Sequence, residues 1–255
     1  GYIPAKLWDN PWLMDRDGTF KTYIRKLSGL QPERRRQLLD GDWDALTGQF
    51  FPELARHSHQ VDWEVGPGID WERWIDWGYN APGVCYWVAC LPDARLYVRL
   101  EWKFQGLLAA DVADGIRART EELGRICGGP LRIRKTVVDP SMFSKTGHWG
   151  ESMAETFQRR GVPCLRGDNQ REQGWQRLRH WFKLAPDGRP WLVTHASCVY
   201  AWRTVPALVA SKTNVEDLDT EGEDHCGDAW RYGVMARPSP TRLADPSRTP
   251  LTGTA

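Results

Sequence analysis

The chain has almost no net charge: 34 Lys and Arg stand against 33 Asp and Glu, a formal balance of +1. Total charge therefore does not draw it to nucleic acid or to a membrane surface, and any phosphate-binding surface has to be local. It has no Cys-x-x-Cys pair. Its six cysteines, Cys85, Cys90, Cys127, Cys164, Cys198 and Cys226, are spread through apolar or element-end contexts. That spacing argues against a zinc ribbon or a disulfide framework and for reduced, mostly buried thiols in a cytoplasmic setting. There is no apolar run of about 18 residues and no signal-peptide pattern, so a soluble, non-secreted protein without a membrane partner is expected. The first residue is Gly1 rather than Met, which reads as a piece of something longer.

What is present is enough apolar sequence for a core: 41% of 255 residues. Fifteen tryptophans are many for this length, and most are expected to pack inside. Residues 1–60 read as a helical or irregular lead segment. Asp9-Asn10-Pro11 marks a turn, Phe20 to Leu30 is helix-like, and a helix starting at Gln31-Pro32-Glu33 stops near Asp40-Gly41. A polar break from Arg56 to Gly68 ends in Gly-Pro-Gly, and the pattern then changes.

Three strand-like runs follow, Trp71 to Gly78, Val84 to Leu91 and Arg95 to Phe104, joined by Asn80-Ala81-Pro82-Gly83 and Pro92-Asp93-Ala94. Such short connections predict an antiparallel meander. An amphipathic stretch from Leu108 to Ile126 carries Ala110, Val112, Ile116 and Leu123 at helical spacing, and a strand, Leu131 to Val138, comes next. A helical crossover followed by a strand implies parallel addition to the sheet. Beyond it the chain reads as helix (Gly150 to Arg160), a short extended piece (Val162 to Leu165), helix (Arg171 to Leu184), strand (Trp191 to Thr194), helix (Cys198 to Ala210) and a last helix from Asp224 to Met235. The expected class is α/β, a mixed sheet flanked by helices, over residues 61–236. Residues 237–255, rich in Pro, Ser and Thr, read as a disordered tail.

Acidic residues stand at three stations of this plan. Asp76 ends the first strand and is followed by Gly78, whose missing side chain would let a phosphate or a metal approach the backbone. Asp139 ends the fourth strand, stopped there by Pro140. The meander leaves the first strand free to pair with the fourth, and neighbouring strands lie about 4.8 Å apart, so the two carboxylates can share one ion. Asp224 and Asp228, four apart at a helix start, share a face. Repulsion among Glu221, Glu223, Asp224 and Asp228 asks for compensation, which a divalent cation would supply. Turn-capping by Asp76 and Asp139, and helix-capping by Asp224, are the bland readings. Converging carboxylates instead make a hard-oxygen site for two Mg²⁺ or Mn²⁺ ions, in which one ion activates water and the other steadies the leaving oxygen of a phosphodiester. Glu101, on the third strand, is a weaker fourth candidate. His225 lies between the helix carboxylates, where it can assist a metal or a proton or serve as a structural hydrogen-bonding group.

The order of strands, helices and acids is that of the ribonuclease-H-like fold, and local phrases resemble a particular family. They are Leu30-Gln31-Pro32-Glu33-Arg34-Arg35-Arg36-Gln37-Leu38-Leu39, Gly41-Asp42-Trp43-Asp44, Gly48-Gln49-Phe50-Phe51, Asp76-Trp77-Gly78-Tyr79, Asp139-Pro140-Ser141, Asn214-Val215-Glu216-Asp217-Leu218-Asp219-Thr220 and Asp224-His225-Cys226-Gly227-Asp228-Ala229-Trp230-Arg231-Tyr232. In that order they resemble the C-terminal nuclease region of the large terminase subunit of tailed bacteriophages. The resemblance implies that Asp76 and Asp139 are the first two metal-binding acids and that the helix start supplies the third. Many relatives have two adjacent Asp there, where this chain has Asp224 then His225, so Asp224, Asp228 or both remain as third ligand. It further implies cutting of concatemeric double-stranded DNA in the host cytoplasm, with sequence preference lent by a terminase small subunit. A portal ring of the procapsid would be a partner, as would an ATPase motor domain joined through a helical linker that residues 1–60 resemble. No Gly-x-x-x-x-Gly-Lys-Ser/Thr stretch occurs, so the motor is not in this chain.

DNA binding would then rest on phosphate contacts. The candidate segments are Arg132-Ile133-Arg134-Lys135, Arg159-Arg160 and the helix carrying Arg171, Arg177, Arg179 and Lys183, which are equally explained as solvated faces. Arg34 to Arg36 is read as solvent- or motor-facing. Competing readings are a resolvase or integrase of the same fold, an actin-like ATPase, and a non-cutting DNA- or portal-docking module. The ATPase lacks its second phosphate loop here. The docking module differs from a nuclease by the absence of metal-dependent cutting.

Overall fold

The computed structural model describes residues 10–15, 17–27, 49–145, 150–219 and 222–240. At its centre lies a seven-stranded sheet of β1 (Gln60–Val61), β2 (Asp70–Asp76), β3 (Gly83–Cys90), β4 (Leu96–Phe104), β5 (Arg132–Val138), β6 (Leu165–Arg166) and β7 (Leu192–His195), in the spatial order β1-β7-β4-β3-β2-β5-β6. The meander β2-β3-β4 is antiparallel, and β5, β6, β7 and β1 add in parallel at its two sides. The helices are α1 (Lys21–Leu27), α2 (Arg56–His59), α3 (Ala109–Ile126), α4 (Met153–Arg159), α5 (Arg171–Phe182), α6 (Val199–Thr204) and α7 (His225–Met235).

The expected mixed sheet is therefore present, with β2 between β3 and β5. Three elements differ from expectation: helix α2 falls at the start of the stretch read as a polar break, where a single turn is too short for periodicity to show, and two others have identifiable reasons. The helix expected over 198–210 is α6 followed by a single tight turn, Val205–Ala207, because Pro206 has no N–H to continue the helix. Strand β1 was not foreseen, since two residues are too short to alternate. The helix expected from Gln31 to Asp40 and most of the expected tail lie outside the described residues.

The sheet separates two cores. On one face α5, α6 and α7 pack Trp175, Leu178, Trp181, Tyr200, Trp202 and Trp230 against Trp74, Tyr86 and Val137. Phe50, Phe51 and Leu54, within the stretch read as lead segment, belong to this same core. On the other face α3 and α4 cover Trp71, Ile75, Trp87 and Val138 with Val112, Ile116 and Phe157. Strand alternation explains the split: Trp74 and Asp76 turn toward α7, whereas Arg73 and Ile75 turn toward α3. Among the described residues eight tryptophans are buried, as expected from their number, while Trp12 and Trp63 stay exposed.

Helix α7 approaches β2 closely because Gly233 has no side chain: a Cβ there would overlap the ring of Trp74, which is fully buried. This contact seats the helix start beside the end of β2. Gly233→Ala is expected to cost about 1–3 kcal/mol, the range for overpacking a tight core, read as a lower midpoint in urea. A midpoint equal to that of the parent would mean that the Trp74 ring has space to move.

Candidate metal centre

Three chain segments meet at one end of the sheet. Strand β2 ends at Asp76, and beside it the parallel β5 ends at Val138, with Ile75 opposite Val138. The ladder continues one step further, since the Asp139 N–H donates to the Ile75 carbonyl at 3.0 Å. The third segment is the start of α7, with Asp224 at its N-cap and Asp228 in its first turn. The expected adjacency of Asp76 and Asp139 thus comes from β2-β5 pairing, and the closeness of α7 from the glycine contact on Trp74.

Asp76 is 7% exposed and sits among like charges. Burial, first, and the nearby Asp228 and Asp139 carboxylates push its pKa up to about 7, although a hydrogen bond from His225 opposes them. The His225 Nδ1 lies 3.0 Å from Asp76 Oδ2, and this partner raises the imidazole pKa above its usual value. Asp224 also lies above the ordinary carboxylate range, through burial and then the charge of Asp228. Its side chain makes no capping hydrogen bond to α7, so the bland capping explanation of Asp224 does not hold. For Asp139 it does hold: its carboxylate accepts the Ser141 N–H at 2.7 Å and caps the turn Pro140–Phe143.

The compensation expected from a cation comes partly from arginines. Arg231, fully buried, places its Nη2 2.6 Å and its Nε 2.8 Å from Asp228 Oδ1. Arg171 reaches into the same cluster, 3.4 Å from Asp228, 3.8 Å from Asp224 and 3.1 Å from Asp217, and its buried Nη2 has no hydrogen-bond partner. Sequence reasoning had Arg171 on a phosphate-binding or solvated face; it is instead a counter-ion of the acidic site. Arg177 and Arg179 are likewise engaged, with the Arg237 carbonyl and with Glu53, leaving Lys183 exposed. Arg132 and Arg134 pair with Asp70, Arg159 with Glu151 and Arg160 with Asp114.

Two further expectations are corrected. Glu101 is not at this site: it accepts the Tyr200 and Ala201 N–H groups at 2.7 Å each and the Tyr86 hydroxyl at 2.9 Å, holding the start of α6. Its strand is separated from β2 by β3, so it is displaced by two strand spacings, about 10 Å. The space above Gly78 is not open to a ligand either, because a Cβ there would meet the Ala81 and Pro82 carbonyls. Gly78 serves the β2-β3 turn. The pairing of His225 with Asp76 and the inward arginines are what sequence reasoning missed; the Asp-x-x-x-Asp-x-x-Arg spacing on α7 is the one signal that held part of it.

The donor set suits a hard divalent cation: several carboxylates, one of them at a strand end with burial and like charge against its ionised form. No group of three His, Cys, Asp or Glu among the described residues is nevertheless arranged as a ready-made ion cage. The side chains are turned toward His225, Ser141 and the two arginines, and ion binding requires them to exchange these partners.

No family model matches the chain, and no curated protein does. Solved structures do. A large terminase from a thermophilic bacteriophage is 15% identical with a TM-score of 0.60, over 91% of this chain and 59% of that one. The P22 large terminase nuclease domain is 18% identical with a TM-score of 0.56, over 75% and 93%. The large terminase nuclease of thermophilic phage G20c with bound cobalt is 12% identical with a TM-score of 0.52, over 74% and 97%. In other crystal structures of the first of these terminases, the chain spans about half the length of the protein it matches. At these identities the likeness establishes the fold: the ribonuclease-H-like α/β fold of phage large-terminase nuclease domains.

Proposed function

We propose that this chain is a metal-dependent DNA endonuclease of a viral packaging machine, with Asp76, Asp139 and the Asp224/Asp228 pair as its metal-binding acids. The observation that carries the reading is Asp76: a carboxylate at the end of a central strand, its pKa pushed up to about 7, with Asp139 on the neighbouring strand and α7 across from it. A bound Mg²⁺ or Mn²⁺ pair would supply a Lewis acid for the scissile phosphate and lower the pKa of the attacking water. The chain's own residues would orient: β2 and β5 fix Asp76 and Asp139 from rigid backbone, and Arg171 and Arg231 hold Asp228 in place. His225 can carry a proton at Nδ1 when Asp76 is in its charged form. The cobalt bound by the G20c nuclease supports a divalent ion here as well. Double-stranded DNA as substrate, the host cytoplasm as location, and an ATPase motor domain, a terminase small subunit and a portal ring as partners belong to the same proposal.

The test is nicking of supercoiled plasmid by the 255-residue chain. Cutting is expected with Mn²⁺ or Mg²⁺, none with chelator, and little with Asp139→Asn. Cutting that survives chelator, or that Asp139→Asn leaves untouched, would overturn the assignment. A second reading, a non-cutting docking module, is favoured by the cap that Asp139 provides to Ser141 and by the ion pairs of Asp228. Metal-independent plasmid binding without nicking would be its signature.

A further inference from the structure

The face of the sheet turned away from the acidic site carries a groove of about 330 Å³ between β2, β5 and α3, with Gly161 and Pro163 at its rim. Three cationic side chains, Arg73, Arg117 and Arg134, line it against one acid, Glu121, while the ammonium of the lining residue Lys135 lies on the α7 face, on Glu72 and the Ala236 carbonyl. Lys135 and Arg134 are balanced, by Glu72 and by Asp70. Arg73 is not. It is 5% exposed, its Nε donates to the Thr136 hydroxyl at 2.9 Å, and no ion pair or further hydrogen bond engages its guanidinium among the described residues. Arg117, exposed on α3, is also without an ion-pair partner among them, and Glu121 bridges to neither arginine. A guanidinium has five N–H donors in a planar fork; Arg73 uses one on Thr136, burial lowers its pKa, and its two terminal nitrogens keep access to the solvent of the groove.

We infer that this groove is an anion site for a phosphate group, with the buried Arg73 as its fixed fork and Arg117 as the second, mobile cation. A phosphate oxygen pair matches the guanidinium fork, and the enclosing walls strengthen the charge-assisted hydrogen bonds. The Thr136 hydroxyl, already bound to Nε, holds the fork in place along β5. A carboxylate of the chain would serve the same purpose for a purely structural arginine, and none is supplied by the described residues. The groove lies on the opposite face of β2 from Asp76, so it does not belong to the acidic site and does not depend on the nuclease reading. The phosphate can come from two sources, a free phosphate or pyrophosphate anion or the backbone of bound DNA.

Titration calorimetry of the full chain with inorganic phosphate and pyrophosphate, at low salt and with chelator throughout, tests it. Saturable binding is expected, weakened about tenfold or more by Arg117→Glu and by Arg73→Met, the loss that accompanies one charge-assisted contact. Glu121→Gln should tighten it. Arg117 is exposed, so its variant folds even where Arg73→Met does not. No binding of either anion, or affinities that Arg117→Glu and Glu121→Gln leave equal to the parent, would overturn the site. Its second arm is a short duplex without metal. Weaker duplex binding in Arg117→Glu, with competition by pyrophosphate, assigns the site to backbone phosphate; unaltered duplex binding assigns it to the free anion. Because chelator is present, nicking can fail while anion binding stands, and the reverse.

Discussion

Asp76→Asn is expected to lower metal-dependent nicking about a hundredfold or more, the scale on which losing one electrostatic contact to a reacting centre is felt, and to do so without destabilising the metal-free protein at pH 8. The second half separates a site carboxylate from a structural one. Its folded pKa of about 7 against 3.8 makes Asp76 a group whose contribution to stability is fully present below pH 3.8 and is lost as pH rises through 7. His225 runs in the same direction: with its pKa raised chiefly by Asp76, its contribution is present below 6.5 and lost as pH rises through its folded value. Buried His59 runs the other way, its pKa lowered by burial, so that its contribution is lost on acidification. The informative quantity is therefore the difference in melting temperature between the parent and Asp76→Asn across pH 5 to 8. That difference should move in favour of the variant as pH rises, and Mn²⁺ at pH 8 should raise the parent's melting temperature while leaving the variant's alone. A variant that melts below the parent at pH 8 would make Asp76 a capping residue.

Much of the architecture was readable because the signals were local. The meander has turn residues at both bends, α3 has helical spacing, and Pro140 stops β5 at the carboxylate, so neighbouring strand ends could be paired before any coordinates. The partners of those carboxylates could not be read, because they are set by contacts over long separations. His225 meets Asp76 across 149 residues, and Arg171 meets Asp228 across 57. Arg171 is half-buried on its helix, as Arg177 and Arg179 are, so periodicity gave no reason to single it out as the one that reaches the acidic site. Glu101 failed for a different reason. Alternation correctly turned it to the α7 side, but position across the sheet, set by β3 lying between β4 and β2, took it out of reach.

The counter-ions matter most for stability, and Arg231→Met is expected to cost about 3–5 kcal/mol, the range for removing one partner of a buried ion pair. Arg231 is completely buried, its guanidinium is 5.1 Å from the Trp175 ring centroid and 4.4 Å from that of Tyr232, and its Nη1 donates to the Asp168 carbonyl at 3.2 Å. Gly174 on α5 leaves room for its stem, since a Cβ there would overlap Arg231 Cγ. The arginine thus clamps α5 to α7 while neutralising Asp228. Methionine keeps much of the volume but leaves the Asp228 carboxylate with Arg171 alone, at 3.4 Å and shared with Asp217 and Asp224. The loss is read as a lower urea midpoint at unchanged slope. Adding Asp228→Leu to Arg231→Met should recover a large part of it, because the uncompensated charge and not the missing contacts dominates the cost. A single-variant loss below about 1 kcal/mol, within the range of exposed pairs, would mean that Asp228 is balanced by something other than Arg231. Divalent ion would then be the first candidate, and the loss should grow when chelator is added.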